Sequence, residues 1–469
     1  MQTKWQEQIA SFDDRMRTNK SFDIIKRRLS VDGHTAYLYM INGFAKDDIL
    51  EKVTRFLLFN GNEHIEEDIT PEQFLAQYIT YTEASVSDDW DYISRRLLTG
   101  SVVLFIDLFA QAIMIDAWAF PTRGVEEPDD EKVLRGAHDG FTEILVFNTA
   151  LIRRRIRSEN LVMEMHTVGT RSKTSVALAY LDNKVDQDFL KKLQSKIDSL
   201  QVNSLTMAQE SLNEALVEKG WYNPFPKVRY TERPDAAAAS IAEGSIVVII
   251  DNTSSVMILP SSFFDFTQDS NDYCFPPVVG TYLRFVRAFV FFLTIFLTPV
   301  WYLLVKNPDW IPSWLAFIQI EVPNSVPIIA QLLFFEFALS GLKLASLNTP
   351  NSLSNSFSVI GALILGDFAV QAHWFVPEVI MYMGLVAVGN FAQPSYELGY
   401  AFNLCRIMLL ILIALLDYWG MILGVLIILF LLATNRTVSG RCYLYPLIPF
   451  NGRALKNLFI RCRMNNKNS

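Results

Sequence analysis

Residues 288–305 run AFVFFLTIFLTPVWYLLV without a single charged side chain. As a helix these 18 residues rise about 27 Å, close to the ~30 Å hydrocarbon thickness of a bilayer. Inside that solvent a backbone must satisfy its own hydrogen bonds, so the run predicts a transmembrane helix and makes the chain an integral membrane protein. Further apolar stretches follow at 325–342, 357–371, 375–393, 407–416 and 418–433. Together they predict an α-helical transmembrane bundle over 284–435, followed by a basic tail over 436–469.

The part before Arg284 has a different composition. From Arg284 onward there are 12 Lys/Arg against 7 Asp/Glu, which leaves 29 against 42 in the preceding part and makes that part the acidic, soluble one. Without a basic stripe it lacks the electrostatic footprint of a nucleic-acid binder, so no nucleic-acid partner is expected. The cysteines, Cys274, Cys405, Cys442 and Cys462, show no C-x-x-C spacing, so neither a disulfide framework nor a metal site is indicated. No cofactor motif occurs either: the chain has no G-x-x-x-x-G-K and no G-x-G-x-x-G.

Positive charge sets the orientation. Arg284 and Arg287 precede the first span, while Arg436, Arg441, Arg453, Lys456, Arg461 and Arg463 crowd the tail. Both flanks are therefore expected on the cytoplasmic side. The first twenty residues are polar, so the first targeting element is expected to be a later transmembrane helix. Two ends on one side require an even number of crossings: six, with Lys343 and Arg406 in inner loops and Asp417 at an outer turn, or four plus re-entrant segments.

In the soluble part, period-2 and continuous apolar runs alternate with helix-period runs, the pattern of a layered α/β fold. Strands are expected at 35–42 (TAYLYMIN) and 175–183 (SVALAYLDN), and helices at 47–59, 186–200 and 234–243. The blocks Gly100-Ser-Val-Val-Leu-Phe-Ile-Asp107 and Gly244-Ser-Ile-Val-Val-Ile-Ile-Asp251 repeat at a spacing of 144 residues. Each Gly suits a helix C-cap and each Asp a turn between paired strands. Two similar α/β units are expected, over 1–160 with a connecting helix and over 161–283. That helix, expected at 140–157, carries Arg153, Arg154, Arg155 and Arg157, which cannot all face a core. Either a solvated or subunit-contact face, or a site for headgroups or other anions, would accommodate them.

Five of the seven carboxylates in the apolar half lie in or beside its later apolar runs: Glu336, Asp367, Glu378, Glu397 and Asp417. An acid at mid-bilayer depth costs on the order of 3 kcal/mol, so it faces a partner or water. Glu336 and Asp367, with no basic partner in their own apolar runs, are the candidates for an ion pathway or a subunit seam. Glu378 follows Pro377 at a helix start, where the macrodipole favours an acid. Glu397 and Asp417 read as interfacial loop residues.

Several blocks, in order along the chain, resemble the spore germinant receptor A-subunit (GerA) family: Gly140-Phe-Thr-Glu143, 148–156 (NTALIRRRI), Gly169 with Ser172-Lys-Thr174, 375–380 (FVPEVI) and 394–398 (PSYEL). The phrases SFDI, INGFAKD and LNTP are most similar to its stage V sporulation branch. Where receptor members tend to carry acids and arginines after the position of Glu336, this chain has Ser340, Lys343, Leu344 and Asn348. The resemblance implies a role in germination at the inner spore membrane. It also implies assembly of copies of this chain into a homo-oligomeric, pentameric ion channel beside a transporter-like B-type subunit, in contact with membrane lipid. A secondary transporter or a scaffold subunit is the alternative, and no enzymatic activity is expected.

Overall fold

A computed structural model describes residues 2–44, 47–59, 65, 69–79, 81, 83–117, 131, 133–200, 202–203, 205, 208–217, 222–320, 326–348 and 374–461. The chain divides into two compact units: Met1–Glu218 with Val228–Pro260, and Lys219–Lys227 with Ser261–Ser469.

The first unit repeats one nine-element pattern. Its first half is α1 (Gln2–Met16), β1 (Ile24–Val31), β2 (His34–Ile41), α2 (Asp47–Phe59), α3 (Pro71–Tyr78), β3 (Ala84–Ser87), α4 (Trp90–Thr99), β4 (Val102–Ile106) and β5 (Ala112–Ile115). The second half follows the same order: α5 (Leu145–Arg155), β6 (Leu161–Val168), β7 (Thr174–Leu181), α6 (Gln187–Asp198), α7 (Ala208–Leu216), β8 (Arg229–Thr231), α8 (Pro234–Glu243), β9 (Ile246–Ile250) and β10 (Val256–Leu259). Each half forms a five-stranded antiparallel sheet, ordered β1-β2-β4-β5-β3 and β6-β7-β9-β10-β8.

The α/β expectation and the duplicated blocks meet in these sheets. Gly100 ends α4 at φ +115° and Gly244 ends α8 at φ +102°, both in the left-handed region that glycine enters without strain. A Cβ on Gly244 would also stand 3.0 Å from the Lys184 carbonyl oxygen. The strands that follow, β4 and β9, are buried at every position. Asp107 donates its backbone N–H to the Thr35 carbonyl at 3.1 Å, and Asp251 donates its own to the Ser175 carbonyl at 3.0 Å, so the two aspartates hold one place in the repeat.

Alternation along β4 explains why its run is apolar throughout. Val103 and Phe105 pack with Phe12, Met16, Ile93 and Leu97 of α1 and α4, whereas Val102, Leu104 and Ile106 pack with Val53, Leu57 and Phe74 of α2 and α3. With helices on both faces, neither set of side chains meets water. Within the first of these cores Tyr39 donates to Asp13 at 2.9 Å; burial, with Asp13 beside it, holds its phenol far above the usual range and keeps the donor proton in place.

The arginine cluster divides between core and surface. The helix expected over 140–157 is shorter, because Asn148 accepts the Thr142 N–H at 2.8 Å and keeps the preceding residues in a turn. Arg154 and Arg157 are exposed, and Arg155 grips both oxygens of Asp139 at 2.6 and 2.7 Å. Arg153 is wholly buried and forms a two-pronged pair with Asp23, Nε to Oδ2 at 2.7 Å and Nη2 to Oδ1 at 3.0 Å. It donates further to the carbonyls of Ser158 and Leu161. Phe22 N–H to Met163 O at 2.9 Å and Met163 N–H to Ser21 Oγ at 2.9 Å complete the seam between the two halves.

The second unit is helical: α9 (Pro277–Lys306), α10 (Ile328–Asn348), α11 (Pro377–Phe391), α12 (Tyr396–Leu416), α13 (Tyr418–Thr434) and α14 (Gly452–Phe459). Among the described residues three helices, Pro277–Lys306, Ile328–Ala345 and Tyr396–Leu416, are long and apolar enough to cross a membrane, while α11 and α13 are apolar but shorter. The stretch expected at 357–371 lies outside the described residues, and with it the choice between six and four crossings. The stretch expected at 407–416 is the second half of α12. Lys343 and Arg406, expected in inner loops, instead lie inside α10 and α12. An isolated charge interrupts an apolar run in sequence without interrupting a helix whose neighbours neutralise it.

The α12–α13 hairpin is pinned by two small residues. A Cβ on Gly420 would sit 2.0 Å from the Leu412 carbonyl oxygen and one on Gly424 2.5 Å from Leu409 Cδ2, so the spacing Gly420-x-x-x-Gly424 permits the close approach.

Truncating the buried arginine tests the seam. Arg153→Met should destabilise the soluble unit by about 3–5 kcal/mol, because Asp23 is left as an unpaired buried charge. Thermal unfolding followed by circular dichroism should show the loss, and Asp23→Leu combined with Arg153→Met should recover part of it.

Candidate functional site

A polar cluster lies among the apolar helices of the second unit. On α10 one stripe, Leu332, Phe335, Glu336 and Leu339, faces neighbouring helices, while Phe337 on the opposite side is 82% exposed and marks the outer surface. Glu336 is 1% exposed and Arg406 of α12 is fully buried. Both guanidinium prongs of Arg406 engage Glu336: Nε meets Oε1 in a short contact, and Nη2 donates to Oε2 at 2.6 Å. Such a planar two-bond pairing gives geometric as well as electrostatic specificity. Of the three N–H donors that remain, two are matched within the bundle. Nη1 donates to the Thr294 carbonyl of α9 at 2.6 Å, and Nη2 also donates to Asn403 Oδ1 at 2.9 Å.

Amides extend the network. Asn390 of α11 donates to Asn403 at 2.9 Å, and Gln393 reaches Asn390 Oδ1 at 3.5 Å and Thr294 Oγ1 at 3.4 Å. Lys343, seven residues beyond Glu336, directs its ammonium toward the rings of Tyr400, Phe391 and Tyr396 at 5.1, 5.6 and 6.0 Å, a cation–π arrangement. Gly399 allows this crowding, since a Cβ there would stand 2.8 Å from Gln393 Oε1 and 3.7 Å from Lys343 Nζ. One acid and two bases are thus held close together in this part of the apolar bundle.

The remaining sequence candidates fall elsewhere. Asp367 lies outside the described residues. Glu378 is in the first turn of α11, whose own start is held by Val376 N–H donating to Gln331 Oε1 at 3.0 Å. Glu397 is exposed in the first turn of α12, where Ser395 caps the helix through Leu398 N–H. Asp417 ends α12 at φ +57°, accepts from Asn307 at 2.8 Å and lies 3.4 Å from Lys306, tying the end of α9 to the α12–α13 turn. Reading the sequence missed Arg406, Asn403, Asn390 and Gln393. The available signal was a pair of polar residues three apart in α12, Asn403/Arg406, which share a helix face, and Asn390 at the end of α11 with Gln393 just beyond it.

Among the described residues no group of three His, Cys, Asp or Glu side chains is placed to hold a metal ion, and Cys274, Cys405 and Cys442 are not joined in disulfides. The arrangement offers fixed charge and amide dipoles in an apolar setting, the chemistry by which ions are bound or repelled.

Residues 12–469 match the family described as Bacillus/Clostridium GerA spore germination protein. Stage V sporulation protein AF of Bacillus subtilis (strain 168) is 36% identical over 450 residues, 96% of this chain and 91% of that protein. Spore germination protein KA of the same organism is 27% identical over 457 residues, 96% of this chain and 83% of that one. A crystal structure of the N-terminal domain of the A subunit of the Bacillus megaterium spore germinant receptor GerK3 aligns with 55% of this chain and 95% of that domain, at 22% identity and a TM-score of 0.42.

Asn403 is the hinge of the network, because its one carbonyl oxygen accepts from both Arg406 and Asn390. Asn403→Leu should cost about 1–3 kcal/mol by leaving buried donors unmet, while Asn403→Asp retains the acceptor. Thermal stability of the detergent-solubilised protein should fall in the first variant and fall less in the second.

Proposed function

Because this chain belongs to the Bacillus/Clostridium GerA family of spore germination proteins, we propose that it works as a membrane subunit of a germination complex whose apolar helices form an ion channel. The observation that carries this reading is the Glu336–Arg406 pair with its amide neighbours. A charge in hydrocarbon is retained where it is matched or serves a polar path, and this cluster draws on four helices, α9 to α12.

In this reading Glu336 and Asp367 supply the acids of the ion path or of the seam between subunits, with Glu378, Glu397 and Asp417 as weaker contributors. Copies of the chain assemble as a homo-oligomer, a pentamer, through outward faces such as the one bearing Phe334 and Phe337. The α/β unit and the basic tail lie in the cytoplasm of the spore, on the side marked by Arg284 and Arg287, and the complex occupies the inner spore membrane beside a transporter-like B-type subunit. The reading is non-enzymatic: the cluster holds no nucleophile next to a base.

Planar-bilayer recordings of the purified protein test this. Single-channel currents are expected, with Asp367→Asn changing conductance or ion selectivity while leaving assembly intact. Saturable solute uptake without unitary currents would favour a secondary transporter instead.

A further inference from the structure

A cavity of about 250 Å³ opens at the start of α9 and lies wholly within the second unit. One wall is polar, with Thr267, Gln268, Asp272, Arg284 and Arg287; the other is apolar, with Phe291, Phe292, Ile295, Phe296 and Phe402. Along α9 the lining runs from Arg284 to Phe296, twelve residues or about 18 Å. Its polar end is level with the last charges before the uncharged run, and its apolar end lies about 12 Å inside that run, most of the ~15 Å depth of one leaflet.

We propose that this cavity is a binding site for an anionic phospholipid of the surrounding bilayer, with an acyl chain along the phenylalanine wall and the headgroup at the polar rim. Shape and depth account for the chain: an amphipathic slot that crosses the boundary between charged and uncharged helix matches a molecule with the same division of polarity. Charge complementarity accounts for the headgroup. Asp272 is fully buried and answers both arginines, meeting Arg287 at 2.8 and 2.9 Å and Arg284 at 3.3 Å, so the two guanidiniums are held in place at the rim. Asp269, 3.5 Å from Arg287, is a third exposed and screened by water.

The tail helix adds to the rim. Arg284 donates to the carbonyls of Asn457 and Leu458 at 2.9 and 3.0 Å, and Phe459 stacks on Phe285 at 6.1 Å, so α14 lies along the start of α9. Its Leu458 and Phe459 line the cavity while Arg453 and Lys456 are exposed, the division of a helix lying in a membrane interface. Basic residues at that level attract anionic headgroups.

The test uses the full chain reconstituted in phosphatidylcholine vesicles with and without phosphatidylglycerol, extracted gently and examined by native mass spectrometry. One phosphatidylglycerol is expected to remain on each chain in preference to phosphatidylcholine. Ala288→Trp, which fills the cavity from α9, should reduce retention at least tenfold. The exposed double variant Arg453→Gln/Lys456→Gln, which leaves Arg284 and Arg287 intact, should weaken the preference for phosphatidylglycerol several-fold. Equal retention of the two lipids, retention unchanged by Ala288→Trp, or a second copy of the chain in place of lipid would each overturn the proposal.

Discussion

The membrane unit depends on the pairing of Glu336 with Arg406. Either charge alone among apolar helices would cost several kcal/mol; together, and with the Thr294 carbonyl and Asn403 accepting two further guanidinium protons, they become a cross-link between α10, α12 and α9. Apolar packing in lipid is weakly selective, because a leucine gains little by leaving lipid for another leucine. Directional contacts therefore set which helix faces which: the ion pair, the Asn390–Asn403 bond, and the Gly420 and Gly424 contacts that bring α13 against α12.

The soluble unit rests on the same device in different surroundings. Arg153 and Asp23 are as deeply buried as the membrane pair, and their contact joins two sheets whose cores also trade a residue each, Ala150 in the first and Phe22 against the second. Within each sheet, the apolar strands β4 and β9 are sandwiched between helices, and the glycine caps before them turn the chain from helix into strand. The repeat supplies two similar halves, and the arginine supplies the registration that similar halves lack.

What could be read from the sequence followed from how local each signal is. Strands β4 and β9, helix α8, the glycine caps and the first membrane helix all announce themselves within a dozen or so residues, and the structure has them where they were expected. The α/β class with two similar sheets and the family resemblance follow from the same kind of signal. Arg153 and Arg406 were harder because their partners stand 130 and 70 residues earlier, and no periodicity joins positions so far apart. Averaged hydropathy puts Arg406 in a loop because it treats a charge as the end of an apolar run. Its partner shows it to be the middle of a helix.

The central claim is that Glu336 and Arg406 form one buried unit that both holds the bundle and borders the proposed ion path. Exchanging the two residues tests it most directly: Glu336→Arg, Arg406→Glu and the double exchange are reconstituted, and the folded yield and unitary current of each are measured. Each single reversal should abolish the folded protein by burying two like charges, whereas the exchange should restore folding and return currents with altered conductance. Wild-type folding and currents in either single reversal would contradict the account.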